Sequence, residues 1–275
     1  MSHPGHTVGV FDSGVGGLSV LRALLAELPH ARFVYVADRA YAPYGERTAD
    51  EVTERSQRIV AQLRRETPLD ALVVACNTAT ALSIDALRHT HHDLPFVGVE
   101  PALKPAAALS RSRHIGVMAT RGTLASARYH KLQERLEHAG DGAHPPHFHN
   151  QACDGLADAI ERGDQALTGT LCERYVAALQ QQTPADAPID TLVLGCTHYP
   201  FEAELLQRLC GPSVRLVETG APVARRTREV LHERSPLSCA ALPRLTLLST
   251  SEPEALGAVA RRWLGIETPA AHWVC

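Results

Sequence analysis

Two cysteines stand at matched places in two like-patterned stretches of this chain. Leu192-Val-Leu-Gly-Cys-Thr-His-Tyr-Pro200 carries Cys196, and Leu72-Val-Val-Ala-Cys-Asn-Thr-Ala-Thr80 carries Cys76. Each begins as a short, dense apolar run, the pattern of a strand buried on both faces. Each then ends on a cysteine with polar residues beside it. In open α/β sheets, ligands bind just beyond the carboxyl ends of strands. One such cysteine is ordinarily a small buried hydrophobe. Two of them, on matched strands and both near threonine, point to chemistry.

A pair of thiols on opposite faces of one carbon suits inversion of a stereocentre. One, as thiolate, removes a proton, and the other, as thiol, delivers one. A free thiol has a pKa of about 8.5, so a thiolate base needs help from its neighbours. His198 can hold or shuttle a proton for Cys196. Asp12, at the end of the first strand, could do the same for Cys76. Ser13, Asn77, Thr78 and Thr197, with helix N-terminal amides, would hold a carboxylate-bearing substrate.

Two other readings use the same residues. A cysteine-dependent amide hydrolase would take Cys196 as nucleophile and His198 as base, leaving the Cys76 copy and the Asp12 turn unexplained. The i, i+2 spacing does not by itself bring that imidazole to the thiol. A two-lobed, non-enzymatic binding module for a small anion would use the capped strand ends but would not need thiols at both. A pyridoxal-phosphate racemase needs a Schiff-base lysine. Only Lys104 and Lys131 exist, the first among turn signals from Pro101 and Pro105, the second mid-helix among charges.

The elements that must position these residues alternate along the chain. Val8–Phe11 reads as a strand, followed by Asp12-Ser-Gly-Val-Gly-Gly17 and a helix over 18–28. Those glycines do not space as a dinucleotide fingerprint, and Asp12 and Ser13 also suit the N-cap of that helix. Phe33–Val36 is a strand ending near Asp38, then a turn-rich loop, then a helix over 50–66 with Val52, Ile59, Val60 and Leu63 on one face. Asn77 and Thr78 are placed to cap a helix beginning near Ala79. Phe96–Val99 is a further strand, and Glu100-Pro101 marks a break.

At His114 the pattern restarts. Ile115–Met118, then Ala119-Thr-Arg-Gly122, parallels the first strand and its turn, and a helix is expected over 123–138. The extra length of this half falls in the Pro/His-rich stretch 143–149, expected as loop. Helices follow to Glu161 and over 164–182, then the Cys196 strand, a helix over 202–209, the strand Val214–Val217, and a helix to about Glu233. Strand 245–248 and helix 252–264 close the chain. The two halves read as diverged copies of one α/β unit. The expected fold is two pseudo-symmetric lobes, each a mostly parallel sheet flanked by helices, with the active site in the cleft between them.

Composition narrows the class. The chain has 275 residues, 45 % hydrophobic and 21 % charged, with a formal charge of −3. That is a soluble globular protein with room for two cores and no basic surface for nucleic acid. Neither a secretory signal nor a membrane-spanning segment is expected from this sequence. Cysteines 76, 153, 172, 196, 210, 239 and 275 are scattered, with no close pair, which fits a reducing cytosol better than a disulfide framework or zinc site. The fifteen histidines include His89, His91, His92 and His144-Pro-Pro-His-Phe-His149, but without carboxylate or thiol partners at ligand spacing. No metal is expected.

The segments Asp12-Ser-Gly-Val-Gly-Gly17, Pro43-Tyr-Gly45, Ala75-Cys-Asn-Thr-Ala-Thr80 and Gly195-Cys-Thr-His-Tyr-Pro200 resemble, in order, the signature blocks of glutamate racemases. Val217-Glu-Thr-Gly220 is similar to a further block of that family. The resemblance implies a cytoplasmic, cofactor-independent interconversion of L- and D-glutamate that supplies D-glutamate for peptidoglycan. Cys76 would take the α-proton from D-glutamate and Cys196 from L-glutamate, assisted by Asp12 and His198. Asp38 and Glu161 match further acidic positions of the catalytic set. Asp12, Ser13, Pro43, Tyr44, Gly45, Asn77, Thr78, Thr120, Cys196, Thr197 and His198 would form the substrate site.

The family fold places the second lobe, 99–209, within a first lobe of 1–98 and 210–275. Val99-Glu-Pro-Ala-Leu-Lys-Pro105 is similar to members regulated by a cell-wall nucleotide, although Glu100 replaces an apolar residue, so regulation stays open, as does a homodimer. Arg39-Ala-Tyr-Ala42 is not the family's commonest sequence there. Ser249-Thr250 stands where many members carry a Thr-Thr-Gly-Asp turn. Neither departure is expected to touch the acid/base residues.

Overall fold

Each cysteine-tipped strand sits inside a parallel sheet. The computed structural model describes residues 5–138, 144–184, 186–233 and 244–275. In chain order the first elements are β1 (Thr7–Asp12), α1 (Leu18–Glu27), β2 (Arg32–Ala37), α2 (Ala49–Glu66), β3 (Ala71–Val74), α3 (Asn77–Thr90) and β4 (Phe96–Gly98). Next come α4 (Leu103–Leu109), β5 (His114–Ala119), α5 (Arg121–Leu124), α6 (Ala127–His138), β6 (His147–Ala152), α7 (Leu156–Arg162), α8 (Gln165–Gln182), β7 (Thr191–Leu194), α9 (Ala203–Cys210) and β8 (Arg215–Val217). The chain closes with α10 (Gly220–His232), β9 (Leu245–Ser249), α11 (Pro253–Leu264) and β10 (Ala270–His272).

The chain divides into one unit of Met1–Val99 with Gly220–Cys275 and another of Glu100–Thr219. The return to the first unit falls at Gly220 rather than at residue 210, because β8 pairs in parallel with β7 and holds α9 with it. The first unit carries a sheet of order β10-β9-β2-β1-β3-β4, the second β6-β5-β7-β8. All pairings are parallel.

The inner order of the first sheet, β2-β1-β3-β4, is the order of the second, β6-β5-β7-β8. The register repeats as well. Gly9 of β1 faces Leu72 of β3, and Gly116 of β5 faces Leu192 of β7. Counted from those leucines, Cys76 and Cys196 occupy the same position beyond their strands. The duplication read from the sequence is thus a duplication of topology and register.

Both central strands are buried throughout, which is why they read as unbroken apolar runs. Alternation sends their side chains to opposite faces. In the second unit Leu192 and Leu194 join a core with Cys172, Tyr175, Val176 and Leu179 of α8. Val193, with Ile115 and Val117 of β5, joins another with Leu103, Ala106 and Tyr129. In the first unit, the apolar stripe of α2 packs with Phe11, Val36, Leu72, Val74 and Cys76.

Several expectations are revised. Residues 147–149 of the expected loop open β6, an edge strand of mostly half-buried polar residues with no apolar run to announce it. β10 is likewise a short edge strand. Lys104 lies in α4 rather than in a turn, and Pro105 sits in the first turn of that helix, where an amide has no intrahelical acceptor to lose. The helix expected over 123–138 is two helices, because Ser126 Oγ accepts from Tyr129 N at 3.1 Å and caps the second. Cys239 lies outside the described residues. No helix among those described is long and apolar enough to cross a membrane.

Candidate active site

Cys76 itself is the N-cap of α3, its Sγ accepting from Ala79 N at 3.4 Å. Asn77 and Thr78, expected as the caps, are instead the first residues of the helix. The sulfur is therefore held at a helix N-terminus, where backbone amides favour negative charge. Cys76 is 5 % exposed, and Ser13 Oγ lies 3.5 Å from its Sγ. Tyr44 belongs to the same buried cluster, its ring edge-on to Phe11 at 6.2 Å between centroids.

Asp12 ends β1 too far upstream to cap a helix that starts at Leu18. Its Oδ2 instead accepts from Gly14 N at 3.1 Å and Gly17 N at 2.9 Å, shaping the glycine loop that carries Ser13. The Tyr35 hydroxyl donates to Gly14 O at 2.7 Å from the far side. Only glycine fits at 17: a Cβ there would lie 2.6 Å from Asp12 Cβ and 2.9 Å from Tyr35 Oη. Gly17→Ala is therefore expected to destabilise the fold by about 2 kcal/mol through overpacking, read as a lower urea midpoint with unchanged slope. It is also expected to depress activity beyond that loss, because the shift falls on Asp12 and the Ser13 loop.

Asp38 is wholly buried and surrounded by donors. Arg55 Nε donates to its Oδ2 at 2.8 Å and Nη2 to its Oδ1 at 2.7 Å. The Tyr44 hydroxyl donates to Oδ2 at 2.6 Å, and Thr250 Oγ1 to Oδ1 at 3.0 Å. Thr250, in the segment expected to touch none of the acid/base set, thus touches Asp38. Burial, then the Asp38 charge, push the Tyr44 phenol far above its ordinary range, so it stays a donor. Tyr44 opens a single 3-10 turn that also contains Gly45, after a cis Ala42–Pro43 peptide.

In the second unit the imidazole does reach the thiol. His198 Nδ1 lies 3.8 Å from Cys196 Sγ, and its Nε2 lies 2.7 Å from Glu161 Oε2. Cys196 is 6 % exposed. Glu161 comes from α7, closed by Gly163 in the left-handed conformation (φ 70°) that only glycine adopts cheaply. Burial alone would lower the His198 pKa, but the bonds to Cys196 and Glu161 raise it well above the ordinary histidine value. The result is a thiol, a protonatable imidazole and a carboxylate in line. Thr197 is buried beside them, and Thr120 caps α5 through Thr123 N at 3.3 Å.

Some residues of these surroundings had no signal strong enough to single them out. Tyr199 is fully buried in one cluster with Cys153 and Cys196, and burial pushes both its phenol and the Cys153 thiol well above their ordinary values, so both stay neutral. Arg55 had one: it falls on the apolar stripe of α2, between Val52 and Ile59, where a charge is out of place. Among the described residues no group of three or more His, Cys, Asp or Glu side chains is arranged to hold a metal ion. His114, His147 and His149 instead stack ring on ring, with His114 Nδ1 3.0 Å from His149 Nε2.

A profile of the Asp/Glu/hydantoin racemase family matches residues 13–227. The chain belongs to that family. Its curated relatives include the glutamate racemase of Stutzerimonas stutzeri, 47 % identical over 82 % of each chain. That of Methylococcus capsulatus is 42 % identical over 98 % of this chain and 94 % of its own. Among solved structures it is similar to the Escherichia coli glutamate racemase in complex with L-glutamate and the activator UDP-MurNAc-Ala. There the TM-score is 0.86 at 34 % identity, covering 98 % of this chain and 99 % of the other. As in this racemase family, both units here are parallel α/β sheets flanked by helices.

Proposed function

We propose that this chain interconverts L- and D-glutamate, with Cys76 and Cys196 as the two proton-transfer groups. The observation that carries the reading is the repeated register: two thiols at the same position beyond β3 and β7 of two like-ordered sheets. A single-nucleophile enzyme has no use for the second. Family membership and the glutamate racemase relatives support the substrate.

In the L-to-D direction the Cys196 thiolate takes the α-proton, and the electron pair of that C–H bond passes into the carboxylate as an enediolate. The Cys76 thiol then delivers its proton to the opposite face of the α-carbon. The reverse direction exchanges the roles. His198, held by Glu161, serves the Cys196 proton, while Ser13 Oγ, on the loop that Asp12 shapes, lies against Cys76. Asn77 Oδ1 is buried with no hydrogen-bond partner, an acceptor suited to the substrate ammonium. Ser13, Pro43, Tyr44, Gly45, Thr78, Thr120 and Thr197 complete the site in this reading, and it works in the cytoplasm for peptidoglycan synthesis.

Cys196, His198 and Glu161 also have the layout of a cysteine hydrolase. Neither the family nor the Cys76 copy favours that alternative. The test is L-glutamate in heavy water with no added cofactor, followed by circular dichroism and NMR. The signal is expected to decay to zero as deuterium enters Cα. The assay is run in parallel with UDP-MurNAc-Ala, the activator in the Escherichia coli structure. A rate seen only with that nucleotide marks an activated enzyme of the same reaction, and no decay in either arm rejects the reading.

A further inference from the structure

The Asp38 carboxylate has no capacity left for proton transfer. An ionised carboxylate offers about four lone-pair sites, and each oxygen here accepts two donors: Arg55 Nε and the Tyr44 hydroxyl on Oδ2, Arg55 Nη2 and Thr250 Oγ1 on Oδ1. It is 0 % exposed. A proton placed on it would break one of these bonds and leave the buried guanidinium without its counter-charge.

Arg55 is held as firmly as the group it holds. Its remaining bond runs from Nη1 to Cys275 O at 3.0 Å, and the Tyr41 ring lies against its guanidinium at 4.0 Å. Thr250 is fixed in turn, its Oγ1 accepting from Ala40 N at 3.0 Å and its own N donating to Ala37 O at 3.0 Å. The segment from Arg39 to Glu46 is thus tied to α2 on one side and to the turn after β9 on the other. The group it presents beside Cys76 is Tyr44.

Resting on the racemase reading, we infer that Arg55 is a positioning residue: it fixes Asp38 as the ionised acceptor of Tyr44, and so sets the Pro43-Tyr44-Gly45 wall of the glutamate site. Asp38 acts with it and takes no proton from substrate or thiol. A lysine at 55 cannot serve, because an ammonium lacks the planar fork that meets both carboxylate oxygens at once.

The experiment measures kcat and KM for both enantiomers, with pH profiles, in Arg55→Lys, Arg55→Gln, Asp38→Asn and the Arg55→Gln/Asp38→Asn double variant. Each is expected to raise KM about 10-fold in both directions, the worth of one charge-assisted hydrogen bond. The kcat pH profile should stay where it is, and the double variant should be no worse than Arg55→Gln alone. Tyr44→Phe keeps the ring on Phe11 and removes only the donor, so it gives the same KM rise even if the Arg55 variants fold poorly.

A displaced pH profile in Asp38→Asn, or a kcat loss confined to one direction, would put Asp38 in proton transfer and overturn the inference. So would a normal KM in Tyr44→Phe or Arg55→Lys. An inactive parent protein instead rejects the racemase reading itself, which keeps the two failures apart.

Discussion

Replacing Cys76 or Cys196 by serine is expected to lower racemisation about 10³-fold in both directions, the usual scale of a positioned acid or base. Each direction needs one thiol as base and the other as acid, so either loss stops both. The two variants should still differ. With Cys76→Ser, Cys196 remains, and L-glutamate alone exchanges its α-proton with solvent. With Cys196→Ser, D-glutamate alone exchanges.

The same substitutions separate activity from stability. Cys76 Sγ is the cap acceptor for Ala79 N, and a serine hydroxyl is a better helix cap than a thiol. Cys76→Ser should therefore unfold no earlier than the parent while losing its activity. Chemical denaturation alongside the exchange assay checks this. A Cys76→Ser enzyme with near-parental racemisation would mean that a single base serves both faces and would remove Cys76 from proton transfer.

His198→Asn is expected to cost about 10²-fold in kcat, with Glu161→Gln acting through the same imidazole, so that the double variant is no worse than His198→Asn. The stability effect has a definite pH dependence. Bonds to Cys196 and Glu161 hold the folded-state pKa of His198 above its unfolded value. The contribution of the ion pair is then fully present below the unfolded value of about 6.5 and lost as pH rises through the raised folded value. Both side chains are more than nine-tenths buried. Removing one leaves an uncompensated buried charge, so Glu161→Gln should cost about 3 kcal/mol near neutral pH. That difference should shrink in alkaline solution. A pH-independent difference in unfolding free energy between Glu161→Gln and the parent would contradict the ion-pair account.

What the sequence made legible follows from burial. β3 and β7 have neighbours on both sides and cores on both faces, so composition alone marked them, and with them the positions of Cys76 and Cys196. β6 runs along an edge with His147, His149, Asn150 and Gln151 half-buried or exposed, and nothing in such a stretch distinguishes strand from loop. The break expected at Glu100-Pro101 falls at the boundary between the two units. Pro105, read as a turn signal, instead sits in a first helical turn, where proline removes no intrahelical bond, and α4 forms.

The site divides in the same way. Cys196 and His198 lie close in sequence and on one turn, so their pairing could be suspected. Glu161, which orients the imidazole, arrives from α7 and was named only by resemblance. The bonds of Asp38 to Arg55 and Thr250 join α2 and the end of β9 to the end of β2, across sequence separations that no local pattern spans. Asp38 was readable as an acidic position, whereas its saturation with donors is visible only in three dimensions.

Two-thiol proton transfer is tested most directly at early times in heavy water. Starting from L-glutamate, product and remaining substrate are separated by chirality and their α-deuterium content measured by mass spectrometry before ten per cent conversion (roughly the initial-rate regime). With Cys196 removing the proton and Cys76 delivering another, the D-glutamate formed carries deuterium at Cα while the remaining L-glutamate is still protiated. D-glutamate that retains the original protium, or L-glutamate that gains deuterium as fast as product appears, would mean that a single base serves both faces.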